Sequence, residues 1–87
     1  MKHATGPALD EIASLLDKLR ELPGLIEKSR GIFYRRGAAF VHFHEDPAGI
    51  FADLRSGPDW ERLPATSAKQ RKELLRRVRA VLTDRTV

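Results

Sequence analysis

The sequence predicts a two-layer α+β domain, an antiparallel sheet of three or four strands with an N-terminal and a C-terminal helix on one face, in the order α-β-β-β-(β)-α. Three observations predict it. Apolar residues recur every three or four positions near both ends, they alternate with period two between residues 31 and 55, and Gly/Pro-rich turns separate the segments. Sequential antiparallel strands flanked by helices leave the helices one sheet face to cover.

The first helix is predicted over about residues 7–22. Thr5 or Gly6 can cap it, and Pro7 sits in the first turn, where its missing N–H costs nothing. Leu9, Ile12, Leu15, Leu16, Leu19 and Leu22 form one stripe before Pro23-Gly24 ends the run. Residues 25–30 read as a connection. Three strands follow, over about 31–36, 39–45 and 50–55, with Trp60–Leu63 as a fourth candidate.

Turn chemistry sets the expected register. Asp46-Pro47-Ala48-Gly49 suits a tight hairpin placing Glu45 opposite Ile50, Phe43 opposite Ala52 and His42 opposite Asp53. A two-residue Arg36-Gly37 turn would place Phe33 opposite Phe40 and Ile32 opposite Val41. The core face is then expected to hold Ile32, Tyr34, Ala39, Val41, Phe43, Ile50, Ala52 and Leu54. The opposite face is expected to hold Phe33, Arg35, Phe40, His42, His44, Phe51, Asp53 and Arg55. Ser67 and Gln70 stand in capping-box relation, so the last helix is expected over about 68–82, with Leu74, Leu75, Val78, Val81 and Leu82 as its apolar stripe.

A chain of 87 residues with this content makes one small domain spanning 1–87, for which self-association would add stability. It has no cysteine, which excludes disulfides and thiolate metal sites and agrees with a cytoplasmic location. No apolar run approaches membrane-spanning length, so no membrane partner is expected. The net charge is +4, and the excess of positive residues lies after Ser67, in the last helix.

The segments Gly31-Ile-Phe-Tyr-Arg-Arg36 and Phe40 through Arg55 resemble a short bacterial domain family of uncharacterised function. That resemblance covers about the central third of the chain and the start of the last helix. It implies a recurring domain and assigns no catalytic residues.

Three uses of the open face follow from its residues. Phe33, Phe40, His42, His44, Phe51 and Asp53 would make an interaction face, and burying its aromatics against a second copy or another protein is the favoured reading. The first alternative is weak nucleic-acid binding, with the aromatics stacking bases and Arg35, Arg55, Lys69, Lys72, Arg76 and Arg79 meeting phosphates. In the second, His42 and His44, at i and i+2 and so roughly 6.6–6.8 Å apart, join Asp53 in binding Zn²⁺ or Fe²⁺. A His42–Asp53 pair could serve acid–base chemistry, but no serine stands in a nucleophile context and no phosphate-binding glycine loop is present. A non-catalytic, cofactor-free binding role is therefore expected.

Overall fold

The computed structural model describes residues 1–83. Its elements are β1 (Lys2–His3), α1 (Gly6–Glu11), α2 (Ala13–Arg20), β2 (Ile26–Ser29), β3 (Ile32–Arg35), β4 (Ala38–Asp46), β5 (Gly49–Ser56), β6 (Asp59–Pro64) and α3 (Ala68–Thr83). The α+β architecture is as expected. Strands β2 to β6 form an antiparallel meander in chain order, and β1 pairs with the end of β4 that β3 does not reach.

The first helix is broken at Ile12, whose N–H donates to Leu9 O at 3.2 Å, a tightened turn. Ile12 itself is buried, so the stripe of Leu9, Ile12, Leu15, Leu16 and Leu19 stays continuous across the break. Residues 26–29, expected as a connection, pair as β2 with Ile26 opposite Tyr34. Its Glu27 and Lys28 hide the strand pattern, as charges on edge strands do. The fourth candidate strand is real and longer, and α3 begins with the expected capping box: Ser67 Oγ accepts from Gln70 N at 3.1 Å, and Gln70 Oε1 accepts from Ser67 N at 3.0 Å.

The β4–β5 register is the expected one at every pair from Asp46↔Gly49 to Val41↔Leu54. Asp46 Oδ1 caps the turn by accepting from Ala48 N at 2.9 Å. Gly49 is required after it: at φ 138° a Cβ would lie 2.2 Å from Thr66 Oγ1, and that hydroxyl accepts from Ile50 N at 2.9 Å.

The β3–β4 register corrects the expected faces. Arg36 (φ 54°) and Gly37 (φ 80°) do form the two-residue turn, and the left-handed conformation costs the arginine roughly 1–2 kcal/mol. Beyond it the pairing slips between Tyr34↔Ala39 and Phe33↔Val41, leaving Phe40 as the extra residue of a β-bulge. One inserted residue reverses every later assignment on β3. Phe33 and Phe40, expected on the open face, are buried at 0% and 3% exposure, whereas Ile32 and Tyr34, expected in the core, are only half-buried, as is Ala39.

The core lies between the sheet and the helices. Phe33, Phe40, Val41, Phe43, Ile50, Ala52 and Leu54 form one cluster with the α1–α2 stripe and with Leu74, Leu75 and Val78 of α3. Burying each large side chain contributes about 1.5–3 kcal/mol before ordering costs are met. Arg77 ties α3 to β6 by donating twice to Glu61, each at 2.9 Å. No described helix covers the other sheet face, which carries His42, His44, Phe51, Asp53, Trp60 and Arg62.

Candidate metal centre

The centre of the open face is built by pleating and by one anchored terminus. His42 and His44 project from β4 to the side opposite Val41 and Phe43, and the β4–β5 register sets His42 beside Asp53 and His44 beside Phe51. On β6, Arg62 pairs with Asp53 and Trp60 with Arg55. Lys2 and His3 pair with Glu45 and His44 of β4, which brings His3 onto the same face.

Glu45 holds that terminal strand in place. Its Oε2 accepts from Thr5 N at 2.7 Å and from Thr5 Oγ1 at 3.0 Å, and its Oε1 lies 3.4 Å from Lys2 Nζ. These hydrogen bonds, led by the backbone N–H of Thr5, hold the Glu45 carboxyl below the usual carboxylate range. Ala4 N donates to Phe43 O at 3.0 Å, closing the segment on its other side.

All three histidines of the chain therefore converge. The His3 and His44 rings stack with centroids 4.8 Å apart, His42 and His44 meet edge-on at 5.0 Å, and His3 and His42 are 5.9 Å apart. One ring nitrogen from each lies within 4.8 Å of those of the other two. Three ring nitrogens, His42 Nδ1, His44 Nδ1 and His44 Nε2, are shielded from solvent and make no hydrogen bond. Buried polar atoms without partners are costly, about 1–3 kcal/mol each, unless a ligand satisfies them.

Asp53 is the carboxylate of the cluster, but it does not face the histidines alone. Arg62 donates to it bidentately, Nε to Oδ1 at 2.7 Å and Nη2 to Oδ2 at 2.9 Å. That pairing, against the effect of burial, holds the Asp53 carboxyl below the usual range. Oδ2 also lies 2.8 Å from His44 Nε2, within reach but off the best line for a ring N–H to donate, which reconciles the contact with the absent hydrogen bond. At His42 burial is the dominant effect: it lowers the pKa, outweighing the neighbouring Asp53 carboxylate, so the imidazole is neutral at pH 7 and its lone pair is available.

The structure thus changes the expected ligand set. His42 and His44 are together, Asp53 becomes a supporting carboxylate occupied by Arg62, and His3, absent from the expected ligand set, supplies the third imidazole. Trp60 and Arg62 were also missed; with the three histidines and Asp53 they line a depression of about 530 Å³. Nothing in the sequence pattern signals His3, because a two-residue strand leaves no periodicity to read.

The expected interaction face loses Phe33 and Phe40 to the core, leaving Phe51, His42, His44 and Asp53 together. The expected nucleic-acid contacts do not form one surface. Lys69, Lys72, Arg76 and Arg79 lie on exposed α3, whereas Arg35 and Arg55 lie near the β3–β4 turn, and Arg76 pairs with Glu73. No described helix is long and apolar enough to cross a membrane. No protein-family model, curated protein or solved structure matches this chain.

Proposed function

We propose that this protein is a small metal-binding domain that holds a divalent first-row transition ion, Zn²⁺ foremost, through His3, His42 and His44. The convergence of three imidazoles, two of which, His42 and His44, have shielded nitrogens without a hydrogen-bond partner, carries the reading. Neutral imidazole suits zinc, and three nitrogen ligands leave a fourth position for water or a ligand. With tetrahedral bonds of 2.0–2.1 Å, ligand nitrogens sit about 3.4 Å apart. The present spread is up to 4.8 Å, and His3, exposed on a short strand, has the freedom to close it. A small rotation of the His44 ring would bring Nε2 into line to donate to Asp53 and leave Nδ1 for the ion, a carboxylate–histidine–metal arrangement.

The test is calorimetric titration of chelator-treated, tag-free protein with Zn²⁺, expecting one ion per chain. His42→Ala and His44→Ala should abolish binding while leaving the fold intact. At a hundredfold excess over Kd, zinc should add about 2.7 kcal/mol to stability. Absence of saturable binding by folded protein overturns the reading.

A second reading is self-association through the same face, supported by Trp60 at 41% and Ile26 at 64% exposure on an uncovered sheet. Sedimentation with and without zinc separates the two, because a dimer of this kind forms without metal. Nucleic-acid binding has less support, since Phe33 and Phe40 of its aromatic platform are in the core.

A further inference from the structure

A second group of side chains lies beside the histidine cluster, with Trp60 between them. Where the β3–β4 turn, the end of β5 and the last turns of α3 meet, Arg35, Arg36 and Arg55 line a cleft of about 280 Å³ with Phe40 and Val81. No carboxylate lines it among the described residues, and none of the three arginines takes part in an ion pair there. Three positive charges with no counter-charge among the described residues repel one another, and a bound anion would offset that repulsion.

Two of the guanidinium groups are already positioned. Arg55 Nε donates to Ala39 O at 2.8 Å and its Cζ lies 4.4 Å from the centre of the Trp60 ring, which leaves its terminal nitrogens to donate elsewhere. Arg35 lies over the Phe40 ring at 5.5 Å. Stacked and hydrogen-bonded arginines lose less freedom on binding, so more of the contact energy appears as affinity.

The third arginine is the informative one. Arg36 has φ 54°, a left-handed conformation in which glycine or asparagine would be less strained. The turn requires a left-handed residue at this position, and an arginine kept where glycine or asparagine would be less strained points to a role for its side chain.

We propose that this cleft binds a phosphate group, with Arg35, Arg36 and Arg55 as its donors. Phosphate fits best because it presents three or more acceptor oxygens and up to two negative charges to planar, fork-shaped donors. The group could come from a small phosphorylated compound or from a phosphodiester backbone.

The chain has a single tryptophan, and it stacks on Arg55, so Trp60 fluorescence reports occupancy directly. Metal-free protein is titrated with sodium pyrophosphate, and separately with a short single-stranded oligonucleotide, each against sodium chloride at matched ionic strength. A saturable change with pyrophosphate alone supports the site and assigns a small ligand; one with the oligonucleotide supports it and assigns a backbone. Arg55→Lys, which keeps the charge but loses the fork, should weaken binding about tenfold, as should Arg36→Gly. Arg36→Gly should also melt no lower than the parent, because glycine relieves the left-handed residue, so its loss of binding cannot be a folding defect. Arg79→Ala, on exposed α3, should bind as the parent does. The proposal is overturned by no response to either phosphate probe, by an equal response to chloride, by Arg36→Gly binding unchanged, or by Arg79→Ala weakening binding as much as Arg55→Lys.

Discussion

The two faces of the sheet are made by the same strands and obey different physics. Along β4, Val41 and Phe43 turn inward to a dry apolar layer, while His42 and His44 turn outward to a cluster of titratable groups. Inside, each side chain contributes by area removed from water, and what it loses on substitution is stability. Outside, Asp53 is buried but paired with Arg62, and ring nitrogens of His42 and His44 are buried but unpaired. A polar cluster left incomplete in this way stabilises the fold little, and it is the ground of the metal site proposed above. Stability and ligand chemistry are therefore separated by one residue along the strand.

The largest expected effect sets one aromatic of each face against the other. Phe33→Ala should destabilise the protein by about 3–5 kcal/mol, since it empties a fully enclosed site. Phe51→Ala, half-buried on the outer face opposite His44 and Pro64, should cost about 1 kcal/mol. Urea denaturation of both variants at several protein concentrations checks this. Equal losses would mean that the outer face is covered in solution, and a concentration dependence would identify a second copy as the cover.

That contrast also marks where the sequence is legible. The β4–β5 hairpin could be read residue by residue, because Asp46, Pro47 and Gly49 specify the turn and any one-residue slip would mix apolar and polar faces. The β3–β4 hairpin has an equally readable turn at Arg36-Gly37, yet its faces came out reversed for Phe33 and Ile32. Both assignments place aromatic or aliphatic residues on each side, so pattern alone could not choose between them. The bulge at Phe40 is selected by three-dimensional packing, in which Phe33, Phe40 and Val41 all reach the core. The candidate site divides the same way. His42, His44 and Asp53 were readable from strand alternation, whereas His3 depended on a two-residue strand held by Glu45.

Glu45 gives a smaller and more selective test, because it acts on the outer face through the segment from Lys2 to Thr5. Glu45→Ala removes the acceptor for Thr5 N and the partner of Lys2, freeing the segment that carries His3. The hydrophobic layer is untouched, so the melting temperature should stay close to that of the parent. Zinc affinity should fall about tenfold, as supporting-group substitutions at metal sites commonly do. Calorimetry beside thermal melts reads both quantities. A melting temperature that falls with affinity unchanged would place β1 in the stability layer and remove His3 from the metal centre.

The smallest expected effect is the pH dependence of the metal-free protein, and its sign distinguishes the two forces on the outer face. Burial depresses the pKa of His42 below its ordinary value of 6.5, so the unfolded chain takes up a proton at this residue before the folded one does. Stability should therefore decline as the pH falls below about 6.5, with no contribution from His42 above it. Asp53 is depressed too, chiefly by Arg62, but from an ordinary value of 3.8. Its contribution is present above 3.8 and is lost only as the pH falls through the lower folded value. The His42 window opens near pH 6.5 and the Asp53 window only below 3.8, so His42→Gln should flatten the decline between pH 6.5 and pH 5 in thermal melts while leaving the more acidic limb. If the protein instead became more stable on acidification from pH 7 to pH 5.5, the attraction of the Asp53 carboxylate would outweigh desolvation at His42. The imidazole would then be held as a cation, and a cation cannot donate a lone pair to zinc.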